Sequence, residues 1–258
     1  MEIKIENHES LDPQFEDTKV YSIPSSYDLN ELDRSILDLI DPKTLTFFHQ
    51  SEDYFKKFSR AVNSEILQKF ISRLSELEFT LVVLERAKNN RDYKGTEKGG
   101  AYIRFIDPEK ESSNWVIDLE PRMYNPDHYP AELLNLLKFG TIKFSYYLDG
   151  AQMWKLGNEN SVSKNELFKL ELQYLDDIDG NFPYEELRIM YEDYCGSYIF
   201  YDNNHEVWYG GMEEAGIVKI NLSLSEVIDS IILTHMKEEY PSIVTIIEGK
   251  YLTNSNIR

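Results

Sequence analysis

The sequence is poor in cysteine and has no long apolar run. It contains one cysteine, Cys195, among 258 residues, which excludes an internal disulfide. A membrane-spanning helix needs about 18 consecutive apolar residues, and no stretch of the sequence approaches this length. The first residues, MEIKIENHESLD, are polar and acidic, unlike a signal or transit peptide. Together these absences predict a cytoplasmic protein that does not enter a membrane.

Basic residues are also scarce. The 27 Lys and Arg side chains are outnumbered by 46 Asp and Glu side chains, which gives a net charge of −19. Because like charges repel, direct binding to nucleic acid or to an anionic membrane is disfavoured. The imbalance is concentrated in residues 166–214, which hold 13 acidic and two basic side chains. This segment is either a solvated acidic face or a face that steers a basic partner into contact.

The usual signatures of catalysis are missing from the sequence. The five histidines form no pair on a helix face, and there is neither a phosphate-binding loop nor a serine-hydrolase elbow. Cys195 could act as a nucleophile only with a base such as His205, and the predicted helix end at Cys195 would raise the thiol pKa. We therefore predict no catalytic residue, no metal and no cofactor. The alternative is a site that only the fold assembles.

One acidic stretch partly resembles a calcium-binding loop. Aligning Gly180 with the invariant glycine of an EF-hand fills four ligand positions, namely Asp177, Asp179, Asn181 and Glu186. Leu175 would then replace the first carboxylate, and Pro183 would lie inside the loop. Because a direct ligand is lost, the stretch favours an acidic turn between two helices.

Hydrophobic periodicity predicts an α+β fold, with N-terminal helices followed by a largely antiparallel sheet and flanking helices. A polar leader, residues 1–25, with a strand or disorder at residues 2–5, precedes the first helix. Helices then begin at Ser26 or Asp28, at Pro42 behind an Asp41 cap, and behind a Ser64 cap. The remaining predicted elements are a strand at 79–84, hairpins at 101–119 and 141–156, and helices at 131–138, 163–175 and 183–195. A connector at 121–130 separates residues 26–120 from 131–258, as two domains or within one continuous domain.

The clearest local pattern lies in the C-terminal region. Strand-forming residues at 197–201 and 207–209 flank a turn that begins at Asp202, and Gly210-Gly211 ends the second strand. A strand at 217–220 precedes a helix capped by Ser223 or Ser225, with Glu226 as the capping-box partner of Ser223.

This region resembles the C-terminal part of the SMI1/KNR4 (SUKH) superfamily. The matching residues are Gly196, Tyr198, Phe200, Asp202, Val207, Tyr209, Ser225 and Glu226. The resemblance implies a bacterial immunity protein or another binding adaptor, without catalytic residues.

Aromatic residues crowd into the acidic region, and Tyr and Trp are favoured anchors of protein interfaces. We therefore predict a surface that binds a basic protein partner, such as a toxin or a nucleic-acid-processing enzyme, and inhibits it by covering its phosphate-binding face. The predicted residues are Asp176, Asp177, Asp179, Glu185, Glu186, Tyr191, Glu192, Asp193, Tyr201, Asp202, Trp208, Tyr209, Glu213 and Glu214. The alternatives are a hydrolase-like enzyme and a self-assembling structural protein. The sequence predicts no oligomeric state.

Overall fold

The structure is a computed structural model of the chain. It describes residues 3–7, 19–85, 99–108, 114–119, 130–145, 153–156, 188–192, 197–211 and 217–236. The predicted helix at 163–175 lies outside these residues, as do residues 121–129 of the predicted connector at 121–130. The acidic stretch at 175–186 and Cys195 lie outside them as well.

Eleven strands form two antiparallel sheets in the described part of the chain. The larger sheet has seven strands in chain order: β1 (Lys4–Asn7), β2 (Lys19–Pro24), β3 (Glu78–Glu85), β4 (Gly99–Ile106), β5 (Asn114–Asp118), β6 (Thr141–Ser145) and β7 (Met153–Leu156). The smaller sheet has the order β11-β10-β9-β8, from β8 (Arg188–Glu192), β9 (Ser197–Tyr201), β10 (Val207–Gly211) and β11 (Ile217–Ile220). The edge strands β7 and β8 contact each other.

Five α-helices accompany the sheets in the described residues: α1 (Arg34–Leu37), α2 (Pro42–Ala61), α3 (Glu65–Glu76), α4 (Ala131–Leu137) and α5 (Leu224–Met236). A 3-10 helix, Leu29–Glu31, precedes α1. The predicted α+β class is confirmed. The first predicted helix is divided into the 3-10 turn and α1, and Asp28 accepts a hydrogen bond from the Asn30 amide at the start of that turn.

The caps of α2 and α3 are those that the sequence predicts. Asp41 accepts the Thr44 backbone N–H at 2.8 Å, and Pro42 occupies the first turn of α2. Ser64 accepts the backbone N–H groups of Ile66 and Leu67 at 3.2 Å, at the start of α3. These side chains bond to amide donors that have no carbonyl partner within their helix, which fixes where each helix begins.

An aromatic cluster centred on Phe47 packs α2 against the larger sheet. Phe47 is 1% exposed, and its ring meets Phe79 of β3 and Phe105 of β4 edge-to-face, with centroids 5.3 and 6.2 Å apart. Phe70 of α3 contacts Trp115 of β5 at 4.5 Å. Such ring pairs add about 1 kcal/mol each to the burial of apolar area. Both helices therefore cover the same face of the sheet.

Helix α5 covers the smaller sheet and also meets α3. The Ser64 hydroxyl donates to the Asp229 carboxylate of α5 at 2.5 Å, while the same oxygen caps α3. Burial raises the pKa of Asp229, although the hydrogen bond from Ser64 opposes that effect. Buried residues of both sheets, α2, α3, α4 and α5 belong to one hydrophobic core. The Ser64–Asp229 bond fixes how the two helices meet.

Three sequence expectations are corrected by the strands. Residues 188–192, predicted within a helix at 183–195, form β8, where Met190 and Tyr191 are buried. Within the predicted leader, residues 19–24 form β2, because Tyr21 and Ile23 contribute to the core, and β1 at 4–7 overlaps the strand that was one alternative for residues 2–5. Gly210 and Gly211 continue β10 instead of ending it, since they pair with Tyr198 and Ser197. In each case pairing with a neighbouring strand outweighs the structural preference of the local sequence.

The larger sheet also crosses the predicted connector. Strand β5 precedes residues 121–130 and β6 follows them, yet the two strands pair from Asn114↔Ser145 to Asp118↔Thr141. Strands from both predicted parts therefore share one sheet, which favours the alternative of a continuous domain for residues up to 156.

We predict that Gly140→Ala destabilises the protein by about 2 kcal/mol or more, because non-glycine residues are strained at positive φ. Gly140 has φ +105°, and an added Cβ would collide with the Asp118 carbonyl oxygen. The measurement is urea unfolding. Gly100→Ala is the control, since no atom lies within 4 Å of the added Cβ. Equal stability of the two variants would contradict this account of the turn after α4.

Candidate functional site

The candidate site is the tip of the β9–β10 hairpin. The two strands pair from Ser197↔Gly211 to Tyr201↔Val207, so that residues 202–206 connect them. Asn203, Asn204, His205 and Glu206 are all exposed, whereas Asp202 is only 2% exposed. The tip therefore consists of four accessible polar residues that follow a buried carboxylate.

The Asp202 carboxylate is the hydrogen-bond acceptor around which this tip is built. Its Oδ1 accepts the backbone N–H of Asn204 at 2.8 Å and that of Glu206 at 2.9 Å. Its Oδ2 accepts the indole N–H of Trp208 at 3.2 Å. Hydrogen bonds to a charged acceptor are stronger than neutral ones, and these three compensate for burial of the charge. The Asp202 side chain thus connects the backbone at Asn204 and Glu206 with Trp208 of β10.

Backbone hydrogen bonds close the same turn. The Asp202 amide donates to the Glu206 carbonyl at 3.1 Å, and the His205 amide donates to the Asp202 carbonyl at 3.0 Å. His205 has φ +62°, a left-handed conformation that is uncommon for residues other than glycine. A three- to five-residue hairpin loop commonly needs one residue in this conformation. The four exposed side chains therefore project from a backbone that is held by hydrogen bonds.

A cross-strand contact extends the exposed surface from the tip onto the neighbouring strands. Lys219 of β11 forms an ion pair with Glu206 at 2.6 Å, and its ammonium lies 5.8 Å from the centroid of the Trp208 ring. Trp208 and Lys219 are register partners, which places them on one face of the sheet. This face carries a half-buried aromatic ring between charged groups.

Four of the predicted partner-binding residues are in the wrong environment for that role. Tyr191, Tyr201, Asp202 and Tyr209 are at most 2% exposed, so they cannot form the surface of a partner complex. The tyrosines belong to the hydrophobic core that includes α5. Strand alternation explains this, since Tyr201 and Tyr209 lie on the same face as Ile199 and Val207.

The other predicted partner-binding residues lie near the tip, in β8 or outside the described residues. Trp208, in β10 beside the tip, is partly exposed, and its predicted role in binding a partner stays a prediction. The backbone of Glu192 lies in β8, opposite Tyr198 of β9. The rest lie outside the described residues: Asp176, Asp177, Asp179, Glu185, Glu186, Asp193, Glu213 and Glu214.

The sequence interpretation omitted the exposed tip itself, from Asn203 to Glu206. It selected aromatic and acidic residues, and Asn203 and Asn204 are neither. The alternation of buried residues along β9 and β10 was the available signal, because it assigns the tyrosines to the core and leaves the turn at the surface.

Comparison with family models, with curated proteins and with solved structures finds no match to this chain. The resemblance to SMI1/KNR4 domains therefore stays a prediction. Among the described residues, no group of three His, Cys, Asp or Glu side chains is arranged to hold a metal ion. Each helix in that part of the chain is too short or too polar to cross a bilayer.

We predict that Asp202→Ala lowers the free energy of unfolding by about 2–3 kcal/mol, since three donors lose a charged acceptor. Asp202→Asn keeps one carbonyl acceptor and should lose about half as much. Chemical denaturation measures both values. Asn204→Ala is the control because it retains the backbone N–H that Asp202 binds, and it should change stability by less than about 0.5 kcal/mol. Similar losses in all three variants would refute the role of the carboxylate.

Proposed function

We propose that this protein is a protein-binding domain whose acidic region, centred on the tip 203–206, engages a basic surface of a partner. The observation that carries the proposal is the buried Asp202 carboxylate, which holds an exposed polar turn in one conformation. That turn lies within residues 166–214, where acidic side chains greatly outnumber basic ones. The hydrogen-bonded turn thus lies within the most acidic segment of the sequence.

Two physical effects make this arrangement suitable for binding. A turn that is already ordered loses little conformational entropy when a partner docks, so more of the contact energy appears as affinity. The charge of −19 attracts a basic partner over a distance of about 8 Å at physiological salt, and thereby raises the association rate. Trp208 supplies a partly exposed ring beside these charges, of the kind that anchors protein interfaces.

The finer proposal concerns the type of partner. We infer an immunity protein or inhibitor that covers the basic, phosphate-binding surface of a toxin or a nucleic-acid-processing enzyme. Support comes from the sign of the charge, which suits a surface that normally binds phosphates, and from the resemblance to SMI1/KNR4 domains. Under this proposal the acidic side chains occupy the positions of phosphate groups.

The test begins with affinity capture of partners from the cells that make the protein. Each captured protein is identified by mass spectrometry, purified, and measured for direct binding at low and high salt. We predict a stoichiometric basic partner whose association rate falls at least about tenfold between 50 and 500 mM NaCl. Neutralising Asp176, Asp177 and Asp179 together, or Glu206 alone, should slow association.

A matched control removes the same number of charges elsewhere. Glu65, Glu76 and Glu132 are exposed on α3 and α4, so their replacement by Gln gives an equal change in net charge on other elements of the fold. This control should retain most of the association rate. If both triple variants bind equally fast, or if the purified partner binds independently of salt, the proposed surface is wrong.

A further inference from the structure

A cavity of about 320 Å³ lies beside α2, in a different part of the fold from the hairpin tip. One wall is a stripe along α2 that includes Thr46, Gln50 and Asp53, spaced three or four residues apart. The opposite wall comes from the ends of β5 and α4, at Leu119 and Phe139. Ligand cavities in proteins typically measure about 300–1,000 Å³, so this one has the size for a small organic molecule.

The floor of the cavity is aromatic and rigid. Phe47 and Tyr54 line it from α2, and their rings contact each other edge-to-face with centroids 4.8 Å apart. The Tyr54 hydroxyl donates to the Phe139 carbonyl, and burial raises the pKa of Tyr54, so the group stays neutral. Phe139 in turn stacks on Phe58. The contact between Tyr54 and Phe139 therefore fixes the distance between the two walls.

Helix α2 is irregular at this cavity. Gln50 has φ −138° and ψ 39°, so two helical segments meet there at a kink. Neither proline nor glycine occupies this part of the helix, and these are the usual causes of a sharp bend. Gln50, at the bend, lines the cavity, and it lies in sequence between Phe47 and Tyr54, which line it as well.

The rim of the cavity is basic, although the chain as a whole is strongly acidic. Lys43, Lys57 and Lys138 line it, together with one carboxylate, Asp53. Asp53 is 2.7 Å from the Lys57 ammonium and compensates for that charge. Among the described residues, Lys138 donates to the neutral amide oxygen of Asn135, at 3.1 Å, and forms no ion pair. Within the described residues Lys43 has no ion pair, so positive charge is left in excess at the opening.

We propose that this cavity binds an amphipathic organic anion. The aromatic or aliphatic body of the ligand would lie on Tyr54 and Phe139, which are partly exposed, with Phe47 packed behind them. Its carboxylate, sulfonate or phosphate group would face Lys43 and Lys138 at the rim. An apolar floor with a few convergent charged groups is the general composition of a small-molecule site. The inference does not depend on the proposed partner, because the two sites use different elements.

The test uses a pair of fluorescent probes that differ in charge. 8-Anilinonaphthalene-1-sulfonate carries a sulfonate, and N-phenyl-1-naphthylamine has almost the same ring system without the charge. We expect the folded protein to bind one equivalent of the sulfonate, at least about tenfold tighter than the neutral probe, because ion pairs at the rim add to ring burial. Fluorescence titration gives both affinities and the stoichiometry.

Three variants locate the site. Lys43→Gln combined with Lys138→Gln should weaken the sulfonate about tenfold and leave the neutral probe nearly unchanged. Thr46→Trp should fill the cavity and abolish binding of both probes, provided that thermal melting shows a folded protein. Lys57→Gln should also weaken the sulfonate, because it removes a rim cation and leaves Asp53 without its partner. Lys56→Gln is its matched control and should leave binding unchanged, since Lys56 also pairs with an acid one turn earlier but does not line the cavity.

Each result of these titrations either supports or overturns the proposed anion site. Loss of sulfonate binding in the lysine double variant, with Lys56→Gln unaffected, supports the proposal. Equal affinity for the two probes would overturn the role of charge. Unchanged binding by a folded Thr46→Trp variant would place the probe elsewhere, and the absence of any stoichiometric binding would also overturn the proposal. The lysine variants keep the test valid if Thr46→Trp does not fold.

Discussion

The buried carboxylate of Asp202 is the interaction on which the proposed binding surface depends. A charge at 2% exposure is costly unless it is fully hydrogen-bonded, and here two backbone N–H groups and the Trp208 indole satisfy it. The same bonds hold His205 in its left-handed conformation and place the Glu206 carboxylate near Lys219. The hydrogen bonds to Asp202 therefore both stabilise the tip and set the conformation of its backbone.

The scaffold behind the tip is organised by aromatic packing. Phe47 connects α2 with β3 and β4, and it also lies in the floor of the basic cavity. The Ser64–Asp229 hydrogen bond connects α3 with α5, which covers the smaller sheet. The hairpin tip and the cavity therefore occupy different elements of one packed structure. The sequence segment that contains the tip, residues 166–214, is acidic, whereas three lysines line the cavity. The two sites are therefore suited to different classes of ligand.

Local signals predicted much of this fold. Helix caps such as Asp41 and Ser64 act through neighbours in sequence, and the β9–β10 hairpin has a short turn, so both can be recognised without tertiary information. Strand β8 could not be recognised in this way, because Tyr191 is placed in a strand by pairing with Ile199. The site was only partly predicted for a similar reason. Tyr201 and Tyr209 are buried in a core that also contains elements distant from them in sequence.

The most direct test of the account is hydrogen exchange at the hairpin tip of the free protein, measured by NMR. The amides of Asn204 and Glu206 belong to exposed residues, yet both donate to Asp202. The account predicts that they exchange at least about a hundredfold more slowly than amides in an unstructured peptide, because the tip is ordered before any partner binds. Exchange at the unprotected rate would show that the turn is not preorganised, and would contradict the central claim.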